Sequence, residues 1–304
     1  EVCEALFTDI FGRFSEWKVS SAPFKRIRYE DAMAWYGTDK PDLRIPHKLQ
    51  NVTEVFVKTE FKVFRSVIDN GGEVSALMFD LPEVPPRSFF DNTIADFKAQ
   101  SGQGLAYLVF ENGEHKGSIA KFMAPAEIEG LRARMQVGQG VSVVFMVAGP
   151  SKKILPDFGK LRVKLARHFG QVDLNQYCFC WVVDFPMYVP NEQSGKPEFF
   201  HNPFSMPQGG MEALLEKDPF DVYAYQYDLV CNGIELSSGA IRNHSPEIMY
   251  KAFEIAGYSR ETVDEKFGGM IRAFKFGAPP HGGLAPGIDR IVWLLTQSES
   301  LREV

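Results

Sequence analysis

The two common nucleotide-loop signatures are both missing from this 304-residue chain. No GxGxxG occurs, which excludes a Rossmann dinucleotide turn. In "HGGLAPGIDRIVWLL" (281–295), Gly282 and Gly287 stand at Walker spacing, but Ile288-Asp289 follows where that loop needs Lys and Ser or Thr. No apolar run approaches the ~20 residues needed to span a bilayer, and no signal-peptide pattern opens the chain. Cysteine is scarce: Cys3, Cys178, Cys180 and Cys231 are the whole set. Cys178-Phe179-Cys180 has the wrong spacing for a zinc knuckle and no second pair to join. "YCFCWVV" reads as one strand with both thiols on one face, so all four cysteines are read as reduced and the chain as cytoplasmic. Positive charge is also short, with 33 Lys and Arg against 39 Asp and Glu and a net charge of −6. That balance argues against a non-specific coat on nucleic acid and leaves room for a local basic surface.

What is present is ordinary globular material, 45% hydrophobic and 24% charged, enough for about two domains. The first residue is Glu rather than Met, which predicts a piece of a longer chain. Residues 1–18 read as an amphipathic helix with Val2, Leu6, Phe7, Ile10, Phe11 and Phe14 on one side. "RIRYEDAMAWYG" predicts a short strand and a helix ending at Gly37, and the polar segment 38–48 looks like a domain junction. Between about 50 and 150 the texture changes. "EVSALMF", "GLAYLVF", "GSIAKFM" and "VSVVFMVAG" read as β-rich runs, with helices at "NTIADFKAQ" and "PAEIEGLRARM". Beyond it, "FGKLRVKLARHFG" predicts a helix with Gly170 just past its end. Ser245-Pro246-Glu247 and Ser259 then read as the starts of two further helices.

The segment "YAYQYDLVCNGIELSSGAIRNH" (223–244) carries the strongest local signal, Asn232-Gly233 between apolar alternations, which predicts a two-residue hairpin turn. That turn pairs Cys231 with Ile234, Val230 with Glu235 and Asp228 with Ser237. One face then carries Tyr225, Tyr227, Leu229, Cys231, Ile234 and Leu236; the other carries Gln226, Asp228, Val230, Glu235 and Ser237. Asp228 and Glu235 become diagonal neighbours, roughly 7–8 Å apart at Cα. Two carboxylates so placed can converge on one Mg²⁺, or they can belong to an ordinary solvated sheet face.

Arg242 follows Gly239. Strict alternation points it to the core face, and a bulge at the glycine would return it to the polar one. It suits either an ion pair with the two carboxylates or a bidentate grip on a substrate carboxylate. His201, in the loop "FFHNPFSMPQGG", and His281 have no metal-ligand spacing, and a loop histidine is more often a local hydrogen-bonding residue than a functional one. Arg290 in a first helical turn opposes the helix dipole by ~0.3–1 kcal/mol. Either Asp289 offsets it, or Arg290 faces an anionic or aromatic ligand across the glycine turn.

Taken together, these motifs resemble a known family. "GGLAPGIDRIVWLL" resembles motif 3 of the class II aminoacyl-tRNA synthetases, and "YDLVCNGIELSSGAIR" is similar to the strand pair before it in the aspartate, asparagine and lysine subgroup. "YGTDKPDLR" (36–44), "DFPMY" (184–188) and "FHNPFS" (200–205) are similar to the bacterial-type aspartyl-tRNA synthetases. The resemblance implies an α+β fold: a partial class II antiparallel-sheet catalytic core in segments 1–50 and 152–304, with an inserted α+β GAD domain at 51–151. It implies aspartate–tRNA ligase activity, with ATP and Mg²⁺ required and L-aspartate and tRNA-Asp as partners. Tolerance of tRNA-Asn is left open, a homodimer is expected of the full-length enzyme, and no membrane is involved.

By the same resemblance, Asp228 and Glu235 hold Mg²⁺ and the ATP phosphates, Arg242 binds the aspartate side chain, and His201 closes over the amino acid. Gly287, Ile288, Asp289 and Arg290 line the ATP site. The sequence departs from relatives that carry a second histidine at Asn202 and glycines at Ser237 and Ser238. Nothing in it resembles the anticodon-binding domain, motif 1 or the motif 2 arginine, so this piece alone is expected not to form aspartyl-adenylate. One alternative is a non-catalytic paralogue that binds tRNA or a partner through its GAD-like and catalytic-like domains. Another is a class II relative acting on another substrate. The retained "GIDR" disfavours the first, and the insertion and Arg242 disfavour the second.

Overall fold

A computed structural model describes all 304 residues and divides the chain into two compact units, Glu1–Glu30 with Asn175–Val304, and Asp31–Leu174. No helix is long and apolar enough to cross a membrane.

The first unit is organised by a five-stranded sheet in the order Gly282–Pro286, Ile234–Ile241, Tyr223–Cys231, Phe179–Pro186, Lys25–Arg28. All neighbours pair antiparallel except the last two. The opening helix runs Val2–Phe14, shorter than the 1–18 expected, and buries Phe7 and Phe11 against Phe24, Tyr177, Phe179, Leu229, Cys231 and Leu236. Val2, Leu6 and Phe14 are exposed, so only part of the predicted apolar side is core. On its buried side Glu4 is 7% exposed and accepts from the Phe24 backbone N–H (3.1 Å) and Trp181 Nε1–H (2.9 Å). The Trp181 bond, more than any other contact, holds its carboxyl below the ordinary value. "YCFCWVV" is not one strand: Gln176–Tyr177 pairs with Lys18–Val19, Phe179–Pro186 joins the main sheet, and Cys178 lies between them. No disulfide joins any of the four cysteines. Ser259 caps its helix as predicted, accepting from the Thr262 N–H, whereas Ser245 precedes Pro246 without a side-chain cap bond.

The second unit is an antiparallel sheet in the order Gln50–Asn51, Glu73–Leu81, Val141–Gly149, Leu105–Glu111, Glu114–Gly117. Its central strand "VSVVFMVAG" is apolar on both faces because both are covered. One face holds the helices Arg87–Ser101 and Ser151–His168, the other Lys62–Asp69 and Pro125–Met135. "GSIAKFM" is not a strand; Gly117 ends one, and Ala120–Phe122 is a 3-10 turn.

The unit extends beyond 51–151 at both ends, for a packing reason. Ile45, Leu49, Ile154, Phe158 and Leu161 share one core with Leu77 and Phe79. Arg162, fully buried, donates to the carbonyls of Asp42 (3.1 Å), Ile45 (2.7 Å) and His47 (2.5 Å) and so clips the 42–47 segment to the Ser151–His168 helix. Burial pulls this guanidinium down to about 10, so it remains charged at neutral pH.

Candidate functional site

The hairpin forms where Asn232-Gly233 predicts it, with both turn residues at positive φ (53° and 86°). Cys231 pairs with Ile234 and Val230 with Glu235, as the turn requires. The register then slips by one, because Leu236 is an extra residue in its strand. Leu229 therefore pairs with Ser237, and Asp228 with Ser238 rather than Ser237. Such a bulge keeps two successive residues facing one partner, so Leu236 and Ser237 both lie opposite core residue Leu229.

The faces also need correction. Tyr225 is 46% exposed rather than core, while Gln226 and Asp228, predicted to face solvent, are buried. Asp228 is only 3% exposed, and its strand neighbours Val182 and Val230 are fully buried. The ordinary solvated-face reading is thereby overturned. A carboxylate this buried needs compensating charge or hydrogen bonds to stay ionised.

Glu235 is met from the other direction by Arg290. The guanidinium Nη1 lies 3.3 Å from the Glu235 carboxylate and donates to the Glu235 carbonyl at 2.6 Å. Arg290 sits in the first turn of the helix Ile288–Thr296 but is turned back onto the hairpin. Its partner in the structure is Glu235 rather than Asp289.

The glycines before it form no turn. Gly282–Pro286 is an edge strand paired with Ser237–Ile241, and Gly287 donates its N–H to the Leu236 carbonyl at 2.7 Å. Gly239 marks the closest approach: a Cβ there would lie 2.2 Å from the Gly283 carbonyl oxygen. The bulge that Gly239 suggested lies at Leu236 instead.

At the far end of the hairpin, the loop after Phe200 crosses both strands. Ser205 bridges to Arg242, Met206 N–H donates to the Ile241 carbonyl (2.8 Å), and Tyr225 N–H donates to the Met206 carbonyl (2.9 Å). His201 is exposed on that loop, its ring against Phe185 and Phe200. Arg242 itself is half-buried, and its N–H donates to the His281 carbonyl at 2.9 Å. Its charge reaches the Tyr227 phenol, which burial pushes above its ordinary value while Arg242 acts in the opposite sense. Tyr227 donates to the Gly283 carbonyl (3.1 Å).

Asp228, Glu235, Arg242, His201 and the Gly287–Arg290 segment are thus gathered on one sheet and its flanking loops. The pairing of Glu235 with Arg290, 55 positions apart, carried no local signal. Asp184, the first residue of "DFPMY", sits at φ 56° where its strand is irregular, accepts from Gln208 Nε2 (2.7 Å) and pairs with Arg28 (3.4 Å), partners that the motif did not reveal. Ser237 is 2% exposed, and its hydroxyl has no hydrogen-bond partner.

No group of three or more His, Cys, Asp or Glu side chains converges anywhere in the chain. Asp228 and Glu235 share one face of the hairpin and offer carboxylate oxygens only. Mg²⁺ suits such donors, because it keeps several waters and takes phosphate oxygens for the remaining positions.

Comparison with known proteins gives one consistent family. The family model for tRNA synthetases class II (D, K and N) matches residues 1–304. The aspartate–tRNA(Asp/Asn) ligase of Rickettsia bellii (strain OSU 85-389) is 50% identical over 306 residues, covering 99% of this chain and 51% of that protein. The Rickettsia prowazekii ligase of the same name is 48% identical, over 99% of this chain and 50% of that one. The chain therefore spans about half the length of the curated relatives it matches. A solved aspartyl tRNA synthetase from Entamoeba histolytica is 18% identical over 76% of this chain and 42% of that chain, with a TM-score of 0.32, too slight a likeness to build on.

Proposed function

From the premise that this chain belongs to the class II tRNA synthetases (D, K and N), we propose that it is the part of an aspartate–tRNA ligase that grips aspartate and one side of ATP. The observation that carries the reading is a hairpin with Asp228 and Glu235 on one face, to which the Gly282–Arg290 segment is fastened through Gly287 and Arg290. The Rickettsia relatives are tRNA(Asp/Asn) ligases, so tRNA-Asp is the acceptor this reading implies and tRNA-Asn a second one to test.

In the proposed reaction the α-carboxylate of aspartate attacks the α-phosphate of ATP and pyrophosphate leaves. A hydroxyl at the end of the tRNA then takes the aspartyl group and releases AMP. Neither step needs a protein nucleophile, so the protein's task is positioning and electrostatics. Arg242 offers a planar two-pronged donor suited to the substrate's side-chain carboxylate. The loop that carries His201 is bridged to Arg242 through Ser205, which supports a role for His201 over the amino acid. In this reading Gly287, Ile288 and Asp289 line the nucleotide side, and Arg290, held by Glu235, would meet a terminal phosphate. Asp228 and Glu235 would hold Mg²⁺, whose charge offsets that of the phosphates when it is bound. The inserted domain is assigned to 51–151 within the second compact unit.

Replacing Arg242 with Leu in the full-length protein tests the assignment. A lost charge-assisted bidentate contact is worth roughly 1.5–3 kcal/mol or more, so the KM for aspartate should rise at least tenfold with the KM for ATP changed little. An unchanged aspartate KM contradicts the assignment.

A further inference from the structure

The helix Ser151–His168 carries a charge pattern that the candidate site does not use. Its exposed residues are Lys152, Lys153, Lys160, Lys164, Arg167 and His168, with no acidic residue among them. The whole helix holds six Lys and Arg against one Asp, a net +5 with His168 neutral, in a chain whose net charge is −6. Lys153, Lys160, Lys164 and Arg167 follow i, i+7, i+11 and i+14, so they share one face over about 21 Å of helix. An ordinary solvated helix face mixes charges of both signs at i, i+4. Here Lys160 is paired with Asp157 (2.8 Å) and Lys164 with Asp96 (2.9 Å), while Lys152, Lys153 and Arg167 have no carboxylate within ion-pair distance.

Beside this face a groove of about 610 Å³ runs along the facing helix Arg87–Ser101, lined by Lys160, Lys164, Arg167, His168 and Phe89. The half-buried Phe89 and the exposed His168 stack there, with ring centroids 4.9 Å apart and planes 20° apart.

We propose that this face and groove bind the phosphate–ribose backbone of RNA, with the Phe89–His168 pair as a stacking surface for a base. Cations spaced along a line match a polyanion of regular charge, and flat aromatic and arginine groups are what unstacked bases pack on. An anionic membrane is the poorer fit. A membrane-lying helix inserts its apolar side, and here Ile154, Phe158, Leu161 and Leu165 are committed to the core. The surface belongs to the second compact unit and the hairpin to the first, so the proposal stands even if the reading of the hairpin fails.

The test uses the 304-residue chain, with a transcribed tRNA, an unrelated duplex RNA and phosphatidylserine vesicles as probes. Lys153→Gln/Lys164→Gln/Arg167→Gln should weaken tRNA and duplex binding roughly tenfold or more at about 100 mM salt. It should also flatten the log Kd against log salt slope by about 2–3, one phosphate contact per cation removed. The equal-charge control Lys58→Gln/Lys62→Gln/Lys121→Gln, at exposed positions elsewhere on the same unit, should leave both quantities near those of the parent. An unchanged melting temperature in both triple variants confirms that the fold is intact. Equal RNA binding by the stripe variant and the parent overturns the proposal. So does an equal loss in the control, or a loss of vesicle binding with RNA binding retained.

Discussion

Asp228→Asn in the full-length protein is expected to lower kcat for amino-acid activation by on the order of 10²–10³, the loss seen when one preorganised electrostatic group is removed. The substitution keeps the side chain's shape and removes one of only two anionic oxygen donors on that face of the hairpin. The residue is 3% exposed, so water cannot take over its role. Weakened metal binding should show as a second effect, an Mg²⁺ requirement shifted to higher concentration. Activity within twofold of the parent, with the Mg²⁺ dependence unmoved, would mean that the Asp228 carboxylate serves only the fold.

Gly239→Val should be the most damaging change to the hairpin itself. A Cβ at 239 meets the Gly283 carbonyl oxygen at 2.2 Å and both Leu284 Cβ and Tyr227 Cε2 at 2.7 Å. Two of these neighbours belong to the Gly282–Pro286 strand, so relief requires the edge strand to leave the sheet. The expected cost is about 3 kcal/mol or more, the upper end of overpacking effects, read as a fall in the urea midpoint. Because Gly287 and Arg290 follow that strand directly, the Arg290 contacts to Glu235 should go with it, and activity should fall in the fraction that still folds. Gly283→Ala is the control: no atom lies within 4 Å of a Cβ there, so its midpoint should stay near that of the parent. Equal midpoints for Gly239→Val and the parent would show that the edge strand is not held by close approach.

The same hairpin shows what the sequence could and could not reveal. Asn232-Gly233 announced the turn and the first two pairs, because a two-residue loop with both φ positive admits few residues. The slip at Leu236 was not legible, since a bulged leucine uses the same residue type as a paired one. Gly239 suggested a bulge, which falls at Leu236 instead; what the position requires is room for the Gly283 carbonyl. The burial of Asp228 depends on what covers the sheet, which alternation along one strand does not encode. Arg290's orientation was likewise unreadable: its helix position left Asp289 or a ligand as its counterpart, and the carboxylate it meets in the structure is that of Glu235. In the other unit, "GSIAKFM" had the composition of a strand but follows one that Gly117 ends. The Ser151–His168 helix was predicted from its C-terminal half and its glycine stop, while its one-sided charge emerged only once exposure was known.

The most direct test of the account is amino-acid-dependent ATP–pyrophosphate exchange by the full-length protein, run separately with L-aspartate, L-asparagine and L-lysine. The account predicts exchange with aspartate alone, because Arg242 selects a carboxylate at the side chain's end. Exchange driven by asparagine or lysine in preference to aspartate, or none with any of the three, would contradict it.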